Sequence, residues 1–267
     1  MKIIVFDTET TCLDNKFAEI WQFSGYCIDL ANPQLNHRFN YNFKTKQPIS
    51  YAARVRCNMT PEKIATFPEF DKNIILEELC VNEDNVYYVG HNLSFDMNII
   101  AGVLSRENVS LLELNNLFDR DKWIDTLRLA KHIYDGVEVN DVSGKSQISF
   151  ALGYLFHYLH LYNEEDNLDF HDARFDVDVT LRLLKHCCKE LGFTLPQDIQ
   201  KVANKSNSPI MIKRFNFGKY KGEMLSDVWK KDKGYFKWLI EKSGMLDASS
   251  PDYNEDLMLS IERLANG

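Results

Sequence analysis

The chain has 267 residues, of which 45% are hydrophobic, 12% aromatic and 26% charged, with a formal net charge of −8. This is the balance of one large globular domain, or of a medium domain with a small appendage, and it excludes extended disorder, collagen and coiled coil. No apolar run approaches the roughly 18 residues of a membrane span, and MKIIVFDTET lacks the regions of a signal peptide, so a cytoplasmic protein without a membrane partner is expected.

The first strand is predicted over residues 2–7, where Ile3-Ile4-Val5-Phe6 is an unbroken apolar run of the kind buried on both faces. Residues 19–30 and 36–44 are aromatic-rich, and the second of these alternates cleanly from His37 to Phe43, so the three segments read as a meander. A helix is predicted over 70–80, then a buried strand over 85–90 running straight into a helix over 93–106. Further helices are expected over 123–134, 146–160 and 172–191, the last ended by Gly192 and Pro196. Strands alternating with helices in this way define an α/β fold with a mixed sheet. The polar, proline-bracketed stretch 196–209 reads as a linker. After it come a strand-turn-strand signal over 214–224, one or two helices over 225–242, and a short acidic helix over 252–264. The expected organisation is a domain over 1–195, a linker over 196–209, a small module over 210–245 and an acidic tail over 246–267.

The six cysteines (Cys12, Cys27, Cys57, Cys80, Cys187, Cys188) show no C-x-x-C spacing and sit mostly in apolar stretches, as reduced, buried thiols do. Charge is distributed unevenly. Residues 1–200 carry a net −11, residues 201–245 a net +7 and residues 246–267 a net −4, so the average conceals a basic island.

Asp7 and Glu9 stand at i and i+2 at a strand end, which turns both carboxylates to one face. Hard oxygen pairs of this kind suit Mg²⁺ or Mn²⁺, although a solvated strand end offers the same pattern. In Gly90-His91-Asn92-Leu93-Ser94-Phe95-Asp96 a buried strand again delivers a polar turn into a helix. There Asn92 is placed as an N-cap and Asp96 lies in the first turn, an arrangement that stabilises a helix with or without a function. A third segment, His171-Asp172-Ala173-Arg174-Phe175-Asp176, sets Asp176 inside the last long helix with His171 just ahead of it.

Together, FDTETTCL at 6–13, GHNLSFD at 90–96 and HDARFD at 171–176 resemble the three motifs of the DnaQ-like 3′→5′ exonucleases in their DEDDh branch, in the family's order and spacing. Ile124-Asp125-Thr126-Leu127 resembles that family's D-[TS]-L helix start, while Cys12 stands where its first motif often has Gly. The resemblance covers residues 1–192 and implies an RNase H-like mixed sheet flanked by helices. It implies Asp7, Glu9, Asp96 and Asp176 as ligands of two divalent cations, Mg²⁺ or Mn²⁺, and His171 as general base. In that scheme Asp7 bridges both ions, Glu9 and Asp176 complete the water-side ion, and Asp96 holds the other through water. Substrate contacts are implied for Thr10, Thr11, Leu13, His91 and Asn92; for Leu13, packing under the meander is the competing reading.

Between Gly218 and Gly222 the island interleaves Lys219, Tyr220 and Lys221, cations for phosphates and an aromatic face for bases, or else a hairpin with solvated lysines. Residues 215–239 resemble the small C-terminal α+β module of exodeoxyribonuclease X-like proteins, which favours DNA over RNA. The expectation is a metal-dependent 3′→5′ exonuclease acting on single-stranded DNA or the 3′ ends of duplexes. Its alternatives are an exoribonuclease trimming RNA and a proofreading or scaffold subunit whose partner is a polymerase.

Overall fold

A computed structural model of the chain describes residues 1–57, 59–110, 114–142, 144–163, 172–250 and 253–266. The chain divides into two compact units, one of residues 1–129 and 151–207, the other of residues 130–150 and 208–267.

In the first unit Ile4, Val5 and Phe6 are buried because β1 (Lys2–Thr10) is the central strand. β2 (Ile20–Asp29) pairs with it antiparallel on one side and β4 (Val86–Gly90) parallel on the other. β3 (His37–Asn42) extends the sheet antiparallel beyond β2, and β5 (Trp123–Asp125) parallel beyond β4, giving the order β3-β2-β1-β4-β5. The register places one feature above the others. Pairing of β1 with β4 ends at Val5 opposite Val89, whereas β1 runs on to Thr10, so Asp7 and Glu9 stand on a stretch that has passed the end of its parallel neighbour.

α1 (Tyr51–Cys57), α2 (Pro61–Ile64) and α3 (Lys72–Glu78) follow β3. α4 (Leu93–Arg106) follows β4 and buries Met97, Ile99, Ile100 and Leu104 in the core cluster that also holds Ile4, Phe6 and Tyr88. α5 (Thr126–Tyr134) begins in this unit, α6 (Leu152–Tyr158) and α7 (Ala173–Glu190) follow, and α7 packs across β1 and β2. The three-stranded meander, the strand over 85–90 and the helices over 70–80, 93–106 and 172–191 are all present with ends within two residues of expectation, except that β1 runs three residues past the end expected at Asp7, to Thr10.

Four readings are corrected. Trp123-Ile124-Asp125 forms strand β5 rather than the first turn of a helix, because two apolar residues at the sheet edge are covered by α8 (Ile199–Asn207). That helix occupies the stretch expected to be a linker; its Ile199, Val202, Ala203 and Ser206 form a buried face hidden within a polar composition. The segment 146–160 splits into strand and helix, since β7 (Gly144–Gln147) pairs with β6 (Glu138–Asp141) in a hairpin before α6 begins. The acidic tail is not a separate appendage, since Leu257 and Ile261 are buried in the core of the second unit.

The second unit holds that hairpin with α9 (Leu225–Lys231), α10 (Lys233–Glu241) and α11 (Glu255–Asn266). Leu257 and Ile261 of α11 are buried with Phe215, Leu225, Val228, Phe236 and Leu239, so the acidic tail completes this core. The strand-turn-strand signal resolves into a single bridge between Arg214 and Met224 around the glycine-bounded loop. Among the described residues, no helix is long and apolar enough to cross a membrane.

Candidate active site

The free end of β1 organises the site. Beyond its parallel neighbour, the Thr8 N–H donates to Asp96 Oδ1 at 3.0 Å, and the Thr8 hydroxyl donates to the same oxygen at 2.6 Å. Asp96, in the first turn of α4, is 3% exposed. α7 supplies Asp176, also in a first turn, where the positive end of the helix dipole favours an anion. Its N-cap is Asp172, whose Oδ1 accepts from the Arg174 N–H at 3.0 Å.

Gln22, on β2 opposite Glu9, fixes that helix start to the sheet. Its amide Nε2 donates to Asp172 Oδ1 at 3.1 Å and to Asn40 Oδ1 at 3.0 Å, while its Oε1 accepts from the Ala173 N–H at 3.3 Å. The signal for Gln22 was present in the sequence, a lone amide in the apolar run Ile20-Trp21-Gln22-Phe23.

Asp7, Glu9 and Asp176 each present a carboxylate oxygen within 4.8 Å of the others. All four acidic residues line a cleft of about 200 Å³, together with Thr8, Thr10, Cys12, Leu13, His91, Phe95 and the Ser50, Ala52 and Ala53 of the α1 segment. Those last three are small, unpatterned residues that nothing in the sequence marks. Burial, then the negative charge of Asp96, Asp176 and Glu9, drives the Asp7 carboxyl well above its ordinary range. Burial pushes Asp96 up to about 7, with the two donations from Thr8 acting in the opposite sense. Three oxygen donors at this separation suit a hard divalent cation, which removes the cost of crowding anions. Asp96 stands apart from the three, and one of its oxygens is committed to Thr8.

The other expected residues separate into groups. Thr10 lines the cleft and donates its hydroxyl to the Cys12 carbonyl at 2.9 Å. Thr11 is turned inward: it is buried, its Oγ1 accepts from the Glu19 N–H at 3.0 Å, and its carbonyl accepts from Ser50 N–H at 2.9 Å. Leu13 is 71% exposed at the cleft, so it does not pack under the meander. His91 reaches the cleft with Nδ1 3.0 Å from Thr126 Oγ1, a hydroxyl that donates to the Gly90 carbonyl at 3.1 Å. Asn92 makes no side-chain cap bond; it adopts a left-handed conformation with φ 67°, and its N–H donates to Asp125 Oδ1 at 2.9 Å. Asp125 also accepts from the Leu127 N–H at 2.9 Å and so holds the turn that presents His91. His171 lies outside the described residues.

In the second unit, Lys221 is exposed, while Lys219 is 3.2 Å from Asp232 Oδ2. Tyr220 does not offer a face for stacking. It is buried, donates its hydroxyl to Asp232 Oδ2 at 2.5 Å, and has the ammonium groups of Lys219 and Lys231 4.6 and 4.9 Å from its ring centroid.

A mixed sheet of this order, with acidic residues gathered at the end of its central strand, is the RNase H-like fold of structurally characterised exonucleases. Exonuclease X in complex with 5′ overhanging duplex DNA superposes with a TM-score of 0.51 at 18% identity, over 77% of this chain and 99% of that one. A zinc-bound complex of E. coli exonuclease I with single-stranded DNA gives 0.57 at 16% identity, over 75% of this chain and 42% of that one. In sequence, the chain is similar along nearly its whole length to exodeoxyribonuclease 10 of Escherichia coli (strain K12), with 26% identity over 258 residues, 97% of this chain and 98% of that protein. Residues 215–243 match the exodeoxyribonuclease X-like C-terminal family.

Proposed function

We propose that the protein is a divalent-metal-dependent 3′→5′ exonuclease that releases nucleoside 5′-monophosphates from the 3′ end of DNA. The observation that carries this reading is the convergence of Asp7, Glu9 and Asp176 within 4.8 Å at the free end of β1. Similarity to an exodeoxyribonuclease over 97% of the chain supports the substrate class, and the DNA complexes of the structural neighbours support a single strand or an overhanging end.

Asp7, Glu9 and Asp176 would hold the metal, with Asp96 acting from the side through the oxygen that Thr8 does not occupy. Bound there, Mg²⁺ or Mn²⁺ ions would supply Lewis-acid neutralisation of phosphoryl charge and make water a stronger nucleophile, the service of a two-metal site. The exposed Leu13 at the lip of the cleft offers an apolar surface to the terminal base, and Thr10 and His91 line the wall beside it. In this reading His171, placed by its motif, takes the proton from the attacking water. The water oxygen bonds to phosphorus as the bond to the 3′ oxygen of the preceding nucleotide breaks, and that oxygen leaves with a proton.

Matched DNA and RNA oligonucleotides, single- and double-stranded and labelled at either end, test this directly. Progressive shortening of 5′-labelled DNA from its 3′ end is expected. Preferential shortening of RNA would instead indicate an exoribonuclease, and no turnover together with co-purification of a polymerase would indicate a subunit role.

A further inference from the structure

The second unit carries an aromatic surface that the glycine-bounded loop alone does not reveal. Trp238 of α10 is 46% exposed, the most open large aromatic among the described residues of this unit. One face lies on Tyr235, three residues earlier on the same helix, with ring centroids 5.6 Å apart and planes at 24°. Tyr235 is in turn held edge-on by Phe215 at 5.6 Å and Tyr220 at 5.0 Å, so the indole rests on rings anchored in the core. A single exposed aromatic is ordinary on a protein surface; one pre-stacked on a braced ring, with little side-chain freedom left to lose, is a formed platform.

The loop carrying Lys219 and Lys221 approaches Tyr235, the supporting ring of the pair. Gly218 has φ 66°, and a Cβ there would stand 2.6 Å from the Tyr235 hydroxyl, so only glycine lets the loop approach so closely. Residues 213–242 carry nine Lys and Arg against four Asp and Glu. An exposed indole, and an exposed Lys221 on the loop that approaches its supporting ring, are complementary to a strand whose bases are unstacked and whose backbone is anionic.

We propose that Trp238, backed by Tyr235, is the base-stacking platform of the second unit, and that its ligand is single-stranded DNA whose phosphates run past Lys221. The choice of DNA rests on the exonuclease reading; the stacking geometry does not. Tyr220, whose ring faces lysines, is the brace beneath the platform.

The test is binding of fluorescein-labelled oligothymidylate by the full-length protein in chelator, compared with an abasic strand of equal length. The wild type should prefer the base-bearing strand. Trp238→Ala should lower affinity for oligothymidylate by about 5- to 160-fold. It should also erase the preference over the abasic strand and leave the salt dependence intact, and Trp238→Phe should restore most of the loss. Lys221→Glu should weaken both strands alike and flatten the salt slope. Unchanged binding by Trp238→Ala, or an equal loss on both strands, would overturn the proposal, the former marking the patch as a protein-facing surface. Photocrosslinking of the wild type to 5-iodouracil-substituted DNA gives a readout free of any variant: adducts at Trp238 or Tyr235 are expected, and a map that avoids both would overturn it. No turnover enters these measurements, so their failure is distinct from failure of the exonuclease reading, which is judged on cleavage products.

Discussion

Thr8 and Asp96 are joined twice, the amide and the hydroxyl of one residue both donating to a single carboxylate oxygen of the other, at 3.0 and 2.6 Å. The pairing exists because β1 outruns β4 and leaves the Thr8 N–H without a strand partner on that edge. It leaves the other oxygen of Asp96 as the one available to the cleft. Thr8→Val keeps the shape and removes the hydroxyl donor. At about pH 8, where Asp96 is ionised, the expected result is a loss of about 1.5–3 kcal/mol in chemical unfolding, the range for a hydrogen bond to a charged group. A rise in the Mn²⁺ concentration needed for half-maximal turnover should accompany it.

The raised carboxyls predict a pH dependence of the metal-free protein. Asp96 titrates at about 7 in the folded chain, against about 3.9 in an unfolded one. Ionising it therefore costs more in the native state, so its contribution to stability is complete below about pH 4 and is lost progressively as pH rises through about 7. Asp7 is shifted in the same direction by burial and its acidic neighbours. Thermal unfolding in chelator should show falling stability from mildly acidic to neutral pH, and Asp96→Asn should flatten the decline. Added Mg²⁺ or Mn²⁺ should stabilise more at pH 8 than at pH 5.5, because protons compete for the same oxygens.

Gln22 touches no expected substrate position, yet it joins β2 to the start of the helix that carries Asp176. Gln22→Leu should lower kcat by about 10- to 100-fold, the scale of a misplaced catalytic group. KM should stay nearly constant, and the thermal shift given by Mn²⁺ should shrink. A purely structural role would lower the unfolding temperature without changing that shift.

Salt dependence addresses the basic island. Lys221 is exposed, and its replacement by alanine should reduce the slope of log affinity for single-stranded DNA against log salt by about 0.7 in magnitude. Equilibrium binding in chelator across a series of salt concentrations measures this; an unchanged slope would leave Lys221 a solvated side chain.

Much of the first unit was legible because its signals are local. Ile3–Phe6 had to be a buried strand, and alternation from His37 to Phe43 defined β3. The three acidic motifs could be found because each follows a strand end or a helix start that the residues themselves announce. What could not be read depends on tertiary contacts. The polar stretch around Ser206 looks like a linker until Ser206 Oγ is seen accepting from the Asp125 N–H at 2.7 Å, on the strand that α8 covers. A truncation from Ser206 would therefore damage the first unit. Asn92 carries a cap residue's chemistry but spends its backbone, rather than its side chain, on Asp125. Tyr220 had the composition of a stacking residue, and only the positions of Lys219, Lys231 and Asp232 show its faces and hydroxyl to be engaged.

The central claim is that the Asp7, Glu9 and Asp176 cluster binds the metal that hydrolysis requires. The most direct measurement follows a 5′-labelled single strand with Asp7→Asn and wild-type protein in Mn²⁺, with the Mn²⁺-induced thermal shift recorded on the same samples. The account predicts that both the stepwise shortening and the thermal shift vanish in Asp7→Asn. His171→Ala should lose about 10²–10⁴ in rate while keeping the shift, as loss of a general base alone would. Turnover by Asp7→Asn at a rate near that of the wild type, or wild-type shortening that persists in chelator, would contradict it.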